Sequence, residues 1–211
     1  MKIADMKVTE LINAVGSDAP APGGGAVAGL AGGIGVALTM MVNGLTLSKK
    51  GFEDDRERIL DAIAKGNELK ARLLDVMDRD TDAFNVVSAA FGMPKDTDEQ
   101  KAKRSAAIQN GLKGCTKTPM EMMELIDETL TLAHSLLGRF NDTSASDLGV
   151  AFLSLKAGIQ GAWLNVLINL SSLKDKAFRD ECCQKGEALL AHAVPIAPVS
   201  YTHLTLPTIR L

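Results

Sequence analysis

From Pro20 to Leu47 the chain carries no charged residue. The stretch PAPGGGAVAGLAGGIGVALTMMVNGLTL opens on Gly23, Gly24 and Gly25 and holds one amide, Asn43, far inside. A run this apolar can span a membrane, cradle a phosphate, or form a buried helix. GxxxxGK[ST] is absent, and although Gly23, Gly25 and Ala28 match GxGxxA spacing, no strand precedes them, so neither nucleotide motif fits. Membrane spans would fall at about 26–47 and 148–170, with GxxxG-like spacing. Glycine dilutes the first, Lys156 interrupts the second, and the mean hydropathy is only +0.08. The remaining reading is a buried helix from about Gly25 to Leu47, with Gly25, Gly29, Gly32, Val36 and Asn43 in one line. Each glycine costs about 1 kcal/mol relative to alanine, so close packing has to return something.

Helical periodicity continues along the chain. It predicts helices at about 5–15 with Gly16 as stop, 53–92 closed by Pro94, 97–115, 119–137, 147–170 and 174–193. Thr97 with Gln100, Thr118 with Pro119 and Glu121, and Ser144 with Asp147 read as helix starts. Aromatic residues are only 4%, alanine and glycine are abundant, and no alternating run suggests a sheet. The expected fold is all-α, a seven-helix bundle with buried glycine- and alanine-rich helices. At 211 residues it is one domain.

Two helices have unusual faces. On the helix over 147–170, Asp147, Ala151, Ser154, Gly158, Gly161, Asn165 and Asn169 share one narrow stripe. Leu148, Leu155, Ile159 and Val166 flank it on one side, Leu153, Leu164 and Ile168 on the other. Such a stripe either admits a neighbouring backbone or lines a pocket; its asparagines either tie helices together or face a ligand, and Asp147 either caps its helix or binds. In the helix over 53–92, Leu73, Met77, Asp80, Phe84, Val87 and Phe91 recur at core-seam spacing, so Asp80 stands where an apolar residue belongs. A desolvated carboxyl has a raised pKa and can exchange protons near neutrality; a structural Asp80 satisfied by a neighbouring helix is the alternative.

The net charge of −3 argues against nucleic-acid binding. Cys115, Cys182 and Cys183 lack metal-ligand spacing and read as reduced thiols. His134 and His192 sit on amphipathic helices, and the methionines of PMEMM read as core filler. No basic-then-apolar leader is visible, so the expected location is cytoplasmic. From about Pro198 the sequence PVSYTHLTLPTIRL loses the helical period and resembles a non-native tail, leaving 1–197 as the domain.

PAPGGGAVAGLAG, MVNGLTLSKK, RDTDAF followed by MPK, and NDTSASDLGVA leading into GAWLNVLIN resemble, in order and spacing, the cyclodeaminase/cyclohydrolase family of folate one-carbon metabolism. The resemblance runs to about residue 195. It implies an all-helical homodimer or higher oligomer that binds a tetrahydrofolate derivative, with no metal and no cofactor beyond that substrate. Family-matching positions are Pro22, Gly23, Gly24, Gly25, Asn43, Asp80, Phe84, Pro94 and Lys95, then Asn141, Ser146, Asp147, Gly161, Asn165 and Asn169. One departure stands out: the family often has Ser after the three glycines, where this chain has Ala26.

The implied activity is hydrolysis of 5,10-methenyltetrahydrofolate, with formiminotetrahydrofolate cyclodeamination as the alternative and an inactive helical folate-binding or interaction protein as the reading from another class. Asp80, Asp147 and Lys95 are the catalytic candidates. Asp80 would stabilise the cationic carbon and move protons, Asp147 would pair with the pterin edge, and Lys95 or Lys49 would add positive charge. Pro22, Gly23, Gly24, Gly25, Asn43, Lys49, Phe84, Asn141, Ser146, Asn165 and Asn169 are the substrate-binding candidates. Among them, the glycine loop at a helix N-terminus would offer N–H groups to the anionic tail.

Overall fold

The computed structural model describes residues 2–208, with side chains described through Ala197 and at Ser200. Six α-helices follow one another: α1 (Val8–Val15), α2 (Gly24–Leu47), α3 (Arg56–Phe91), α4 (Asp98–His134), α5 (Ala145–Ser171) and α6 (Lys176–Thr208). Single 3-10 turns at Ile3–Asp5, Glu53–Asp55 and Asp142–Ser144 precede α1, α3 and α5. No strand occurs among the described residues, in keeping with the all-α expectation.

The expected seventh helix does not exist, because the predicted helices at 97–115 and 119–137 are one continuous α4 with Pro119 inside it. Thr97 does form its capping box with Gln100. Thr118 does not cap: its hydroxyl crosses to α3 instead. Ser144 is likewise no side-chain cap, since its Oγ donates to the Asn141 carbonyl at 2.7 Å. The backbone of α6 stays helical through Thr208, where the sequence suggested an irregular end.

α2 packs against α3 and α5, α4 packs against α3 and α5, and α6 covers α4 and α5. α2 and α5 run antiparallel: Gly24 lies against Asn165, Gly158 against Ala28 and Gly32, and Gly35 against Leu155 and Ala151. At Gly158 a Cβ would stand 3.0 Å from the Ala28 carbonyl and 3.1 Å from the Gly32 nitrogen, so side-chain-free backbone sets the spacing of this pair. The core is closed by Leu69, Leu73 and Val76 of α3, Met122, Met123 and Ile126 of α4, and Phe152, Leu155 and Ile159 of α5. The methionines are therefore the core filler their spacing suggested.

α2 and the segment Asp142–Ser171 are long and apolar enough to cross a membrane. Here they are the central pair of the bundle, with Val36, Val42, Leu155 and Val166 fully buried. The two flanks of the α5 stripe differ. Leu148, Leu155, Ile159 and Val166 are in the core, whereas Leu153, Leu164 and Ile168 are more than half exposed, at 51, 66 and 68%.

Candidate active site

A cleft of about 260 Å³ opens where the start of α2, the middle of α3 and the last turns of α5 meet. Gly23, Gly24, Gly25, Asp80, Phe84, Asn165 and Asn169 line it, together with Pro20, Ala21, Thr81, Cys115 and Ile168. Asp80 is its one charged lining residue. Periodicity alone placed Asp80 in the α3 seam, and the seam holds at Leu73, Met77 and Val87, while Phe84 is half-buried beside the cleft and Phe91 is exposed.

The Asp80 carboxylate is wedged between α2 and α4. A Cβ at Gly25 would overlap Asp80 Oδ2, so only glycine lets the first turn of α2 come this close. On the other side Thr118 Oγ1 donates to Asp80 Oδ1 at 2.7 Å. Burial raises the Asp80 pKa, and the Thr118 hydrogen bond partly offsets that by favouring the charged form. The Cys115 thiol is pushed up to about 11, by burial first and by the Asp80 charge second. It is thus a neutral wall of the cleft, not a nucleophile.

The asparagines are locked by their own helix. Asn165 Nδ2 donates to the Gly161 carbonyl at 2.9 Å, and Asn169 Nδ2 donates at 2.8 Å both to the Asn165 carbonyl and to the Cys115 carbonyl of α4. Neither Oδ1 has a partner among the described residues, so both oxygens are available as acceptors.

The other candidates lie elsewhere. Asn43 is about 28 Å along α2 from Gly24, and Asp147 about 27 Å along α5 from Asn165, at 1.5 Å per residue. Asn43 is buried, donating to the Thr39 carbonyl at 3.0 Å, with Oδ1 unpartnered among the described residues. Near it, Lys49 Nζ donates to Asn141 Oδ1 at 2.9 Å, and the Asn141 N–H donates to Thr46 Oγ1 at 2.9 Å. Ser146 and Asp147 occupy the first turn of α5 at this same end. Lys95 is exposed in the α3–α4 connection, and Pro22 adjoins the lining loop without lining the cleft. Asp147, Lys95, Asn43, Lys49, Asn141 and Ser146 therefore do not share the Asp80 cleft within one chain.

Ala26 also faces away, packing with Ile3 and Met77 in a small apolar cluster. A hydroxyl at this position would point into that cluster, so the departure from the usual serine removes nothing from the cleft. Besides Pro20, Ala21, Thr81 and Ile168, two further residues that the sequence did not mark as site candidates belong to the site. Cys115 lines it, and Thr118, which reads as a helix cap, holds Asp80.

The formiminotransferase-cyclodeaminase family model matches residues 7–188. The chain belongs to the formiminotransferase-cyclodeaminase family. Within this family it is 38% identical to a methenyltetrahydrofolate cyclohydrolase of Methylorubrum extorquens, over 88% of this chain and 89% of that protein. It is 30% identical to a formimidoyltransferase-cyclodeaminase of Rattus norvegicus, covering 90% of this chain but 35% of the rat protein. Thus the chain spans nearly all of the bacterial relative and about a third of the rat protein. The crystal structure of formiminotetrahydrofolate cyclodeaminase from Thermotoga maritima superposes with a TM-score of 0.88 at 27% identity, over 98% of this chain and 99% of that one.

Proposed function

We propose that the chain is an enzyme of folate one-carbon metabolism that hydrolyses 5,10-methenyltetrahydrofolate to 10-formyltetrahydrofolate at the Asp80 cleft. The observation that carries this reading is a single half-buried carboxylate set against a glycine backbone in a cleft with no other charged wall. A cationic amidinium carbon is stabilised by such a group. The near full-length match to a protein named as a cyclohydrolase supports this direction.

Asp80 accepts a proton from the attacking water as oxygen bonds to the methenyl carbon, giving a neutral tetrahedral adduct. The adduct's hydroxyl loses its proton, the bond from that carbon to N5 breaks, N5 takes up a proton, and the formyl group remains on N10. One proton leaves to solvent, balancing the lost positive charge. The reading calls for no cofactor beyond the tetrahydrofolate substrate, because the carbon is already electrophilic and water is the nucleophile. A volume of about 260 Å³ suits the reacting head, below the usual range of roughly 300–1,000 Å³ for whole ligands. The anionic tail then extends past the α2 N-terminus, whose free N–H groups favour a carboxylate.

The second reading is cyclodeamination, in which N10 attacks the formimino carbon and ammonia leaves; the fold match to the Thermotoga cyclodeaminase favours it. Loss of the methenyl chromophore, followed by absorbance in parallel with ammonia release from the formimino substrate, decides between them. Hydrolysis without ammonia release supports the first reading, ammonia release the second. Turnover of neither, with tetrahydrofolate still bound, leaves an inactive folate-binding protein.

The working unit in this reading is a cytoplasmic homodimer, with no nucleic-acid or membrane partner. Val27, Ile34, Met41 and Leu45 form an exposed stripe on α2, and Val150, Leu153, Leu164 and Ile168 form one on α5. Ile168 also lines the cleft, so a second copy seated there borders the site.

A further inference from the structure

Among the described residues, every buried threonine of the helices but one bonds back to its own helix. Thr39, Thr46, Thr116 and Thr129 each donate to the carbonyl four residues earlier. Thr118 instead reaches across to Asp80 Oδ1 at 2.7 Å. The next residue is Pro119, in the interior of α4. Proline has no N–H, so the carbonyl four residues back, that of Cys115, has no helical donor. That carbonyl is the one that accepts from Asn169 Nδ2 at 2.8 Å. A buried carbonyl needs a partner, and this one draws a cleft residue of α5 into place.

We propose that Thr118 and Pro119 form a positioning element of the active site, Thr118 orienting the Asp80 carboxylate through its hydroxyl and Pro119 releasing the Cys115 carbonyl to anchor Asn169. The two adjacent residues of one helix act on two of the other helices that line the cleft, α3 and α5. The hydroxyl bond fixes Asp80 Oδ1, which leaves Oδ2 on the side of Gly25 and the reacting carbon. Neither residue touches the substrate; both act through residues that do. This inference rests on the reading of Asp80 as the catalytic carboxylate.

The test is a kcat and KM comparison across pH of Thr118→Val, Thr118→Ser and Pro119→Ala, with Asp80→Asn as control. A hydrogen bond to an ionised group stabilises the charged form, so removing it raises the Asp80 pKa. Thr118→Val is expected to lower kcat roughly tenfold or more and to move the acid limb of the kcat profile to higher pH. KM stays close to wild type, and Thr118→Ser restores both rate and profile. Pro119→Ala returns an N–H to the Cys115 carbonyl and frees Asn169, so KM rises while the melting temperature holds or increases. A purely structural proline would lower it.

An unshifted acid limb in Thr118→Val with wild-type kcat, beside an inactive Asp80→Asn, overturns the role of Thr118 and leaves Asp80 standing. Full activity in Asp80→Asn overturns the Asp80 reading itself. Should Thr118→Val not fold by circular dichroism, Thr118→Ala is read by the same criteria. Unchanged KM in a folded Pro119→Ala overturns the Asn169 half.

Discussion

The backbone of Gly25 lies so close to Asp80 Oδ2 that a β-carbon on residue 25 would occupy the same space. Gly25, the last of the three glycines at the head of α2, thus serves contact with that carboxylate. Gly25→Ala must push α2 and α3 apart or turn Asp80 away. It is expected to cost about 1–3 kcal/mol of stability, the usual range for overpacking, and most of the turnover. A denaturation midpoint and rate equal to wild type would show that the contact is not needed.

Asp80→Asn is expected to keep the fold and lose about a hundredfold or more in kcat, the contribution typical of a positioned acid–base group. Its stability has a definite sign. Burial holds the Asp80 pKa above its ordinary value, so the native protein prefers the protonated form and is destabilised as pH rises through that raised pKa. The amide escapes this cost. Asp80→Asn should therefore be at least as stable as wild type at pH 7, with any advantage shrinking as pH falls toward about 4. Thermal melts at pH 4, 5.5 and 7 measure it, and a mutant less stable at pH 7 than at pH 4 relative to wild type contradicts the sign.

Cys115, with its thiol pushed up to about 11, should react with a disulfide reagent at pH 7.5 at least roughly tenfold more slowly than an ordinary thiol of pKa about 8.5, the greater nucleophilicity of its thiolate offsetting part of the loss. Part of that shift comes from the Asp80 charge, so Asp80→Asn should speed the reaction. Mass spectrometry of peptides labelled over time separates Cys115 from the half-buried Cys183.

Leu164, 66% exposed on the outer flank of α5, tests the assembly. Leu164→Glu would place a charge in the proposed face between copies, where it is desolvated on association. The dimer dissociation constant in sedimentation equilibrium is expected to rise at least tenfold, with the monomer still helical. A monomeric wild type at micromolar concentration removes the homodimer from the reading.

The all-α class was legible because 3.6-residue periodicity persists over long stretches, and Asp80 was legible because it interrupts a core seam. Helical wheels report azimuth and not height. Asn43 and Asp147 share faces with residues of the cleft yet stand about 27–28 Å away along rods rising 1.5 Å per residue. Thr118 escaped notice for a different reason: the pattern of Thr, Pro and Glu that starts many helices is identical to that of a threonine turned toward a neighbour inside a helix that tolerates its proline. Ala26 was misleading because a residue beside a glycine loop need not face what the loop faces. In the suspected tail, Ser200 is buried and lies 3.1 Å from His134 Nδ1, a contact that loss of helical period did not suggest.

Asn169 has already committed both amide hydrogens, one to its own helix and one to α4. What a visiting ring meets at that edge is an oxygen. A ring bearing an N–H there gains a bond, while the same ring stripped of that hydrogen by oxidation brings lone pair against lone pair. In the proposed folate reading, the cleft sorts reduced rings from oxidised ones through a count of hydrogens, fixed by a proline on the neighbouring helix α4.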